Sequence, residues 1–313
     1  MYENQHAPQV VVGLATYRRP DGLARILPML AQQSRSLRGA QARIVVVDND
    51  PSAGAGPQVV ALDDPLVSYV HEPRPGIASA RNRALAEAAG SDALVFIDDD
   101  ETPQPGWLQA LVDCWQTWQC AAVTGPVHPV FDADVDEWVV ASAVFDHVQR
   151  ETGTLNPGAG TNNVLYDLAK LHRHGITFDE DFGLSGGSDT RLAHLLRSKG
   201  EDIRWCAEAV VDDYIPADRS TRQWVFQRTV RTSNSWARTR MRLAASSAEA
   251  LTRRLELTAR GGYRMLRGVV GRGLGRIGGN TQRHARATVD IASGIGLIMG
   301  ANGLVRYEYR RPG

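Results

Sequence analysis

Short apolar runs alternate with segments of helical period through the first 125 residues. Val10–Leu14, Arg43–Val47, Val67–His71, Leu94–Ile97 and Cys120–Thr124 are brief and rich in β-branched residues, as strands buried on both faces are. Between them, Leu23, Ile26, Leu27 and Leu30 recur at helical spacing after Pro20, which suits a helix start. Pro28 inside that segment predicts a bend. Ile77, Ala80, Ala84, Leu85 and Ala88 make a second helical face; Trp107, Leu108, Leu111, Val112 and Trp115 make a third. Such alternation predicts an α/β fold with a mostly parallel sheet covered by helices on both faces.

The rhythm changes after Gly125. Residues 126–215 mix short strands with glycine-rich loops at Asn156–Asn163 and Gly183–Ser188. A helix is predicted from Asp189, with Leu192, Leu195 and Leu196 buried. From Arg219 onward the pattern is helical. Ser247–Leu266 and Ala287–Met299 read as amphipathic helices separated by the glycine-dense Gly268–Gly279. These shifts divide the chain into a domain over 1–235, with halves 1–125 and 126–235, and a helical tail over 236–313.

Charge sharpens that division. Net charge is zero, but residues 216–313 hold 19 Arg against 5 Asp and Glu, a balance of +14. The remainder therefore carries −14, and only 2 of the 35 cationic residues are Lys. An arginine tail predicts an anionic partner. A lipid surface is expected over nucleic acid, because the tail lacks interleaved aromatic residues for stacking on bases; a helical hairpin with solvated arginines is the alternative. Ile291–Val305 is the longest charge-free apolar stretch, shorter than the ~20 residues a membrane span requires. Met1–Pro8 is polar, so no secretory leader is expected. Cys114, Cys120 and Cys206 fit neither a disulfide framework nor a zinc site, which suggests a reducing compartment.

Four places carry chemistry. Leu94–Ile97 runs into Asp98-Asp99-Asp100-Glu101. In open α/β sheets the carboxyl edge of the strands is where ligands bind. Adjacent carboxylates repel, and an oxygen-only donor set suits Mg²⁺ or Mn²⁺; a solvated turn is the alternative. Val47-Asp48-Asn49-Asp50 ends a second strand the same way, as either an Asx turn or part of the same crevice. Gly76 to Asn82 opens a helix whose amino end could hold an anion, with Arg81 adding charge. Gly186-Gly187-Ser188-Asp189-Thr190 delivers a carboxylate to the first turn of another helix, where it is also a natural cap.

Read in order with Thr16-Tyr17-Arg18-Arg19-Pro20, these motifs resemble family 2 glycosyltransferases over about residues 8–235. The subgroup they most resemble is that of bacterial exopolysaccharide β-glycosyltransferases of the succinoglycan ExoM type. The resemblance implies a GT-A fold with a Rossmann-like nucleotide-binding sheet, and a metal-dependent inverting transferase using a nucleotide-diphosphate sugar, UDP-linked in the first instance. It places Ala15, Thr16, Arg18, Asp48 and Asn49 around the nucleotide. It puts Asp99 towards the ribose and Arg81 at the nucleotide or diphosphate. Asp98, Asp100 and Asp213 would lie at the metal, Asp100 closest, and Asp189 would be the general base. Thr161, Asn162, Asn163, Gly187, Trp224 and Arg228 would line the sugar or acceptor pocket.

Two departures stand out. Relatives often carry an acid where this chain has Ser188, and the Gln/Arg/Trp-type motif is scrambled in Arg222–Arg228. The implied acceptor is a glycan or polyprenyl-linked sugar, met by a cytoplasmic enzyme held peripherally on the inner membrane face by its arginine tail. Two rivals stay open. One is a nucleotidyltransferase using the aspartates for metal, which would release pyrophosphate. The other is a scaffold that binds nucleotide without turnover.

Overall fold

Each of the five apolar runs contains a strand of a single sheet; the first four are neighbours, and the fifth, a strand over Ala122–Thr124, lies towards the opposite edge. The computed structural model describes residues 7–132, 134–146, 149–183 and 186–305. The chain forms two units. One comprises Met1–His128, His147–Gly183 and Ser188–Asp213; the other comprises Pro129–Asp146, Leu184–Gly187 and Tyr214–Gly313. In chain order the elements begin β1 (Gln9–Thr16), α1 (Pro20–Ser36), β2 (Gln41–Asp48), α2 (Gly56–Ala61), β3 (Val67–His71), α3 (Ile77–Glu87) and β4 (Ala93–Asp98). They continue with β5 (Glu101–Pro103), α4 (Trp107–Trp118), β6 (Ala122–Thr124), β7 (Val127–Phe131), α5 (Glu137–Ala141), β8 (Asn163–Asp167), α6 (Leu168–His174) and α7 (Ser188–Ser198). The last are β9 (Ile203–Trp205), β10 (Val211–Ile215), α8 (Arg222–Arg242), α9 (Ser247–Ile277) and α10 (Thr281–Ala301).

The main sheet has seven strands in the order β3-β2-β1-β4-β8-β6-β9. β1 to β4 pair in parallel, as does β6 with β9, while β8 runs antiparallel to β4 and β6. Strand order reverses between β1 and β4, and such a switch point opens a crevice at the carboxyl ends of the strands. Residues alternate between two apolar layers. Val10, Val12, Leu14, Val95 and Ile97 pack with α1 and α4 on one face; Val11, Val45, Val47, Leu94 and Phe96 pack with α3 and α7 on the other. Phe96, Tyr166 and Phe178 meet edge to face within that second layer. Leu192 and Leu196 are buried as expected, and Leu195 is half-buried. The three cysteines are free and buried.

A second sheet, in the order β5-β10-β7, is set by the turn after β4. Its antiparallel register puts Asp213 opposite Glu101 and Asp212 opposite Thr102.

In the second unit, Trp138, Val139, Phe145, Ile215, Val225 and Ala285 form a core. Here the expected break at Gly268–Gly279 is corrected in extent. α9 is one continuous helix of 31 residues through Gly268, Gly271, Gly273 and Gly275, and only Gly278 and Gly279 fall in the turn before α10. Gly261, Gly268 and Gly275 are buried at seven-residue spacing and let α10 approach. A Cβ at Gly268 would lie 2.6 Å from the Ala287 carbonyl oxygen, and one at Gly294 would lie 2.5 Å from that of Gly261. The opposite side of α10 does the same against α8, since a Cβ at Gly296 would lie 2.4 Å from the Val230 oxygen. Ala287–Met299 therefore belongs to an inner helix packed on α8 and α9. Propensity alone reads the glycines as breaks; close helix packing overrides that cost.

This packing makes a paired expectation. Gly268→Ala should lower stability by about 1–3 kcal/mol through overpacking, although alanine favours helix. Gly262→Ala, on the same helix with nothing within 4 Å, should raise it by about 0.5–1 kcal/mol. Thermal unfolding followed by circular dichroism compares them; the reverse order would overturn the glycine seam.

Candidate active site

The carboxyl ends of β1, β2 and β4 lie side by side, with Ala15 in register with Asp98 and Thr16 with Asp48. Beyond β1 the chain turns sharply. Arg18 adopts a left-handed φ of 55°, a conformation costly for a non-glycine residue and often found at functional sites. It pairs with Asp50 at 3.2 Å. Arg19, just before α1, pairs with Asp99 at 3.3 Å and also with Asp100. Thr16 Oγ1 donates to Asp99 Oδ2 at 2.7 Å. Burial pushes the Asp99 carboxyl up to about 6, against the pull of Arg19 and Thr16.

Asp98 and Glu101 are the most strained pair. Asp98 keeps part of its surface open. Loss of solvation nonetheless pushes its carboxyl up to about 7, opposed by Arg81 and helped by Asp100 and Asp99. Glu101 is 2% exposed. Burial raises it well above the usual carboxylate range, and Asp98 and Asp213 add to the rise. Asn162 Nδ2 donates to Glu101 Oε1 at 2.9 Å and the Asp98 amide to Oε2 at 3.2 Å. Directly opposed strand residues have Cβ atoms about 4.5–5.5 Å apart, and like charges there destabilise; Asp213 and Glu101 are such a pair. Among the described residues no three acid, histidine or cysteine side chains are drawn together as a finished metal cage. The donors are nonetheless all hard oxygens carrying excess negative charge, a chemistry suited to Mg²⁺ or Mn²⁺.

Asp48 and Asn49 build the walls. Asp48 is fully buried and accepts from the amides of Asp50 and Ala55, each at 2.9 Å, and from the Tyr69 hydroxyl at 3.1 Å. Asn49 donates to the Glu72 and Arg74 carbonyls, both at 2.7 Å, and accepts from the Gly76 amide at 3.1 Å. The Ile77 amide donates to the Gly183 carbonyl at 3.1 Å. The expectation that the amino end of α3 is open to an anion is thereby narrowed: the Gly76 and Ile77 amides already have partners. Gly76, at φ 115°, lies so close to Gly183 that a Cβ would meet its backbone at 3.2 Å.

Arg81 remains as the buried positive group of that helix, Arg83 being paired with Glu87. It is 8% exposed and makes no ion pair within 4.0 Å among the described residues. Its Nη1 donates to Ser188 Oγ at 3.4 Å, and its guanidinium lies 5.9 Å from the Phe178 ring centroid. It acts electrostatically on Asp98 and on Tyr166. Asp189 follows Ser188 in the first turn of α7, and its Oδ1 accepts the Thr190 amide at 2.7 Å. Its Oδ2 points towards Gly160, 4.0 Å from where a Cβ would stand. Tyr166 is fully buried with its hydroxyl unpartnered, and the charge of Asp189 reaches it. Thr161 Oγ1 is likewise buried and unpartnered.

Thus Ala15, Thr16, Arg18, Asp48, Asn49, Arg81, Asp98, Asp99, Asp100, Thr161, Asn162, Asp189 and Asp213 all belong to the first unit. So does Asn163, but its amide is spent on the Pro126 and Ala209 carbonyls and the Trp107 indole. Gly187, Trp224 and Arg228 belong to the second unit, where Trp224 stacks on Phe145 and Arg228 lies over both rings. The sequence does not single out three residues that the structure brings to the site. Arg19 and Glu101 lie inside the motifs, but their pairing depends on distant residues. Tyr166 lies mid-strand in an apolar run with no local signal.

Comparison with known proteins agrees with this fold. Residues 11–175 match the family model for glycosyl transferase family 2. The chain is 34% identical over 245 residues to succinoglycan biosynthesis protein ExoM of Rhizobium meliloti, covering 77% of this chain and 76% of that protein. The mannosyltransferase PcManGT of Pyrobaculum calidifontis, solved with GDP-Man and Mn²⁺, superposes with a TM-score of 0.60 at 18% identity, covering 92% of this chain and 86% of that one. TarS residues 1–349 of S. aureus, solved with UDP-GlcNAc, gives 0.51 at 12% identity, covering 90% of each chain. With an α/β sheet of this topology and a family match across more than half its length, the chain belongs to glycosyl transferase family 2 and is a glycosyltransferase of the ExoM type.

Proposed function

We propose that the enzyme transfers a sugar, with inversion, from a nucleotide-diphosphate donor to a hydroxyl of a glycan or polyprenyl-linked acceptor. The observation that carries this reading is Arg81, a buried guanidinium without a carboxylate partner among the described residues. It stands within electrostatic reach of Asp98 at the end of β4 and touches the start of α7. A buried cation with no carboxylate in contact is costly, and a visiting anion offsets that cost. A diphosphate is such an anion. The likeness to chains solved with UDP-GlcNAc and GDP-Man supports a nucleotide sugar, and UDP is the base we favour.

In this reading Asp189 takes the proton of the acceptor hydroxyl as it attacks the anomeric carbon, and the donor's bond to the diphosphate breaks in the same displacement. Such proton transfer typically contributes about 10²–10⁴-fold. Arg81 offsets charge growing on the leaving diphosphate. Thr16 and Ala15, on the walls shaped by Asp48 and Asn49, border the nucleotide, with Arg18 beside them and Asp99 towards the ribose. Thr161 and Asn162 lie on the sugar side. Asp98, Asp100 and Asp213 would hold Mg²⁺ or Mn²⁺, which supplies positive charge to the diphosphate when bound. The enzyme works peripherally at the cytoplasmic membrane face, where a polyprenyl-linked acceptor is anchored.

Asp189→Asn should leave donor KM near wild type and cut kcat by about 10²–10⁴-fold. Assays of nucleoside diphosphate release and NMR of the product anomer follow both. Unchanged turnover would remove Asp189 as base, and pyrophosphate as product would favour nucleotidyl transfer instead.

The acid cluster has its own expectation. Mn²⁺ with UDP should raise the wild-type melting temperature, since a ligand of the folded state stabilises it. Asp98→Asn should melt at or above wild type without metal, because one of the crowded like charges is gone, and should lose the Mn²⁺-dependent rise. A wild-type enzyme indifferent to Mn²⁺ and Mg²⁺ would refute the metal assignment.

A further inference from the structure

One face of α9 is apolar and uncovered. Eight large apolar side chains between Leu251 and Ile277 are exposed, from 46% at Leu274 to 87% at Ile277. At about 100° per residue they fall within about 140° of arc, opposite the buried Gly261, Gly268 and Gly275. The stripe runs most of the length of a 31-residue helix, about 46 Å at 1.5 Å per residue. A patch of this extent is far beyond the scattered apolar exposure of ordinary soluble surfaces.

Charge says what covers it. Exposed Arg260 and Arg267 border one edge of the stripe, and exposed Arg272 and Arg276 border the other. Residues 247–290 hold nine arginines and three acids, a net of +6. Leu266 and Val270 also line an open groove of about 510 Å³ whose other wall carries Arg283 and Arg286. Apolar side chains flanked by long cationic ones match an acyl layer edged by anionic headgroups. A second copy of the helix would bring an equal positive charge against this face. No helix among the described residues is long and apolar enough to cross a membrane, so the geometry is that of a helix lying on one.

We propose that this face of α9, with the α9–α10 groove, docks on an anionic lipid bilayer, the acyl layer taking the Leu266 and Val270 side and the headgroup phosphates taking Arg283 and Arg286. The inner helix α10 contributes only that arginine rim. This deepens the membrane part of the proposed function, but its test contains neither donor nor acceptor and is scored independently of catalysis.

Full-length protein is sedimented with sucrose-loaded vesicles of phosphatidylcholine containing 30% phosphatidylglycerol, and with pure phosphatidylcholine. Binding to the anionic vesicles is expected to be tighter by at least tenfold and to weaken with salt. Leu266→Glu with Val270→Glu should reduce it about tenfold or more while melting at the wild-type temperature, since both side chains are more than half exposed. Arg283→Gln with Arg286→Gln should weaken anionic binding by about fivefold per arginine and leave neutral binding unchanged. Equal binding to both vesicles, or wild-type binding by the glutamate pair, would overturn the proposal. So would light scattering that finds a dimer which the glutamate pair dissociates. Retained binding by the arginine pair would overturn the headgroup assignment.

Discussion

The site depends on forcing carboxyl groups together where water cannot fully separate them. Asp98 ends a strand in the middle of the main sheet, and Glu101 begins the next sheet three residues later. The turn between them is fixed at both ends by hydrogen-bonded strands, so their carboxyls cannot drift apart. β10 then adds Asp213 opposite Glu101 by register alone. Each placement is enforced by backbone pairing backed by a close-packed apolar layer around Val95, Ile97, Trp107 and Leu111. The repulsion is blunted within the protein by Asn162 and by the Asp98 amide, but those two donors leave the excess negative charge in place. Cations from outside the cluster answer it: Arg19 at Asp99 and Asp100, and Arg81 at a greater distance from Asp98.

Several polar residues of the crevice act on backbone. Asp48, Asn49 and Asn163 have the appearance of ligand-binding groups in sequence. Between them they fix the loop after β2, the start of α3 and the meeting of β8 with the chain near Pro126 and Ala209. Buried polar groups must find partners, and here the partners are loop amides and carbonyls that would otherwise be orphaned. In the proposed reading, Asp48 and Asn49 would contribute to a nucleotide pocket, and Asn163 to the sugar or acceptor side, through the shape they impose. The groups left with spare capacity are fewer: Arg81, Tyr166, Thr161 and the acids after β4.

What could be read from sequence divides along the same line. Apolar runs report burial directly, so the strands and the alternation of layers were legible from Val10–Leu14 to Cys120–Thr124. The acids at the strand ends were legible because three adjacent charges after an apolar run are anomalous. Pairings were not. Nothing local says that Glu101 will face Asp213 across more than a hundred residues, or that Arg19 will reach Asp99. The glycines of α9 show the converse error. Their low helix propensity is a local signal, and it was overridden by a distant one, the approach of α10 through Gly294 and Ala287. The arginine excess of the tail was visible in composition, but which helix would carry an uncovered apolar face was decided by packing.

Ser188 joins these lines. Its side chain is wholly buried and accepts from Arg81 at 3.4 Å. A carboxylate at this position would sit against the guanidinium and neutralise it, and a buried ion pair of that kind holds both partners tightly. It would also bring a second negative charge beside Asp189, where like charges disfavour joint ionisation. A hydroxyl does neither. It orients Arg81 with a weak bond and leaves the guanidinium without a carboxylate in contact, its nearest electrostatic counterpart being the more distant Asp98. The cost is a buried cation in the free enzyme, lessened by the Phe178 ring beneath it. In the proposed reading the same substitution makes Arg81 more available to a diphosphate, and it leaves Asp189 as the one carboxylate in the first turn of α7.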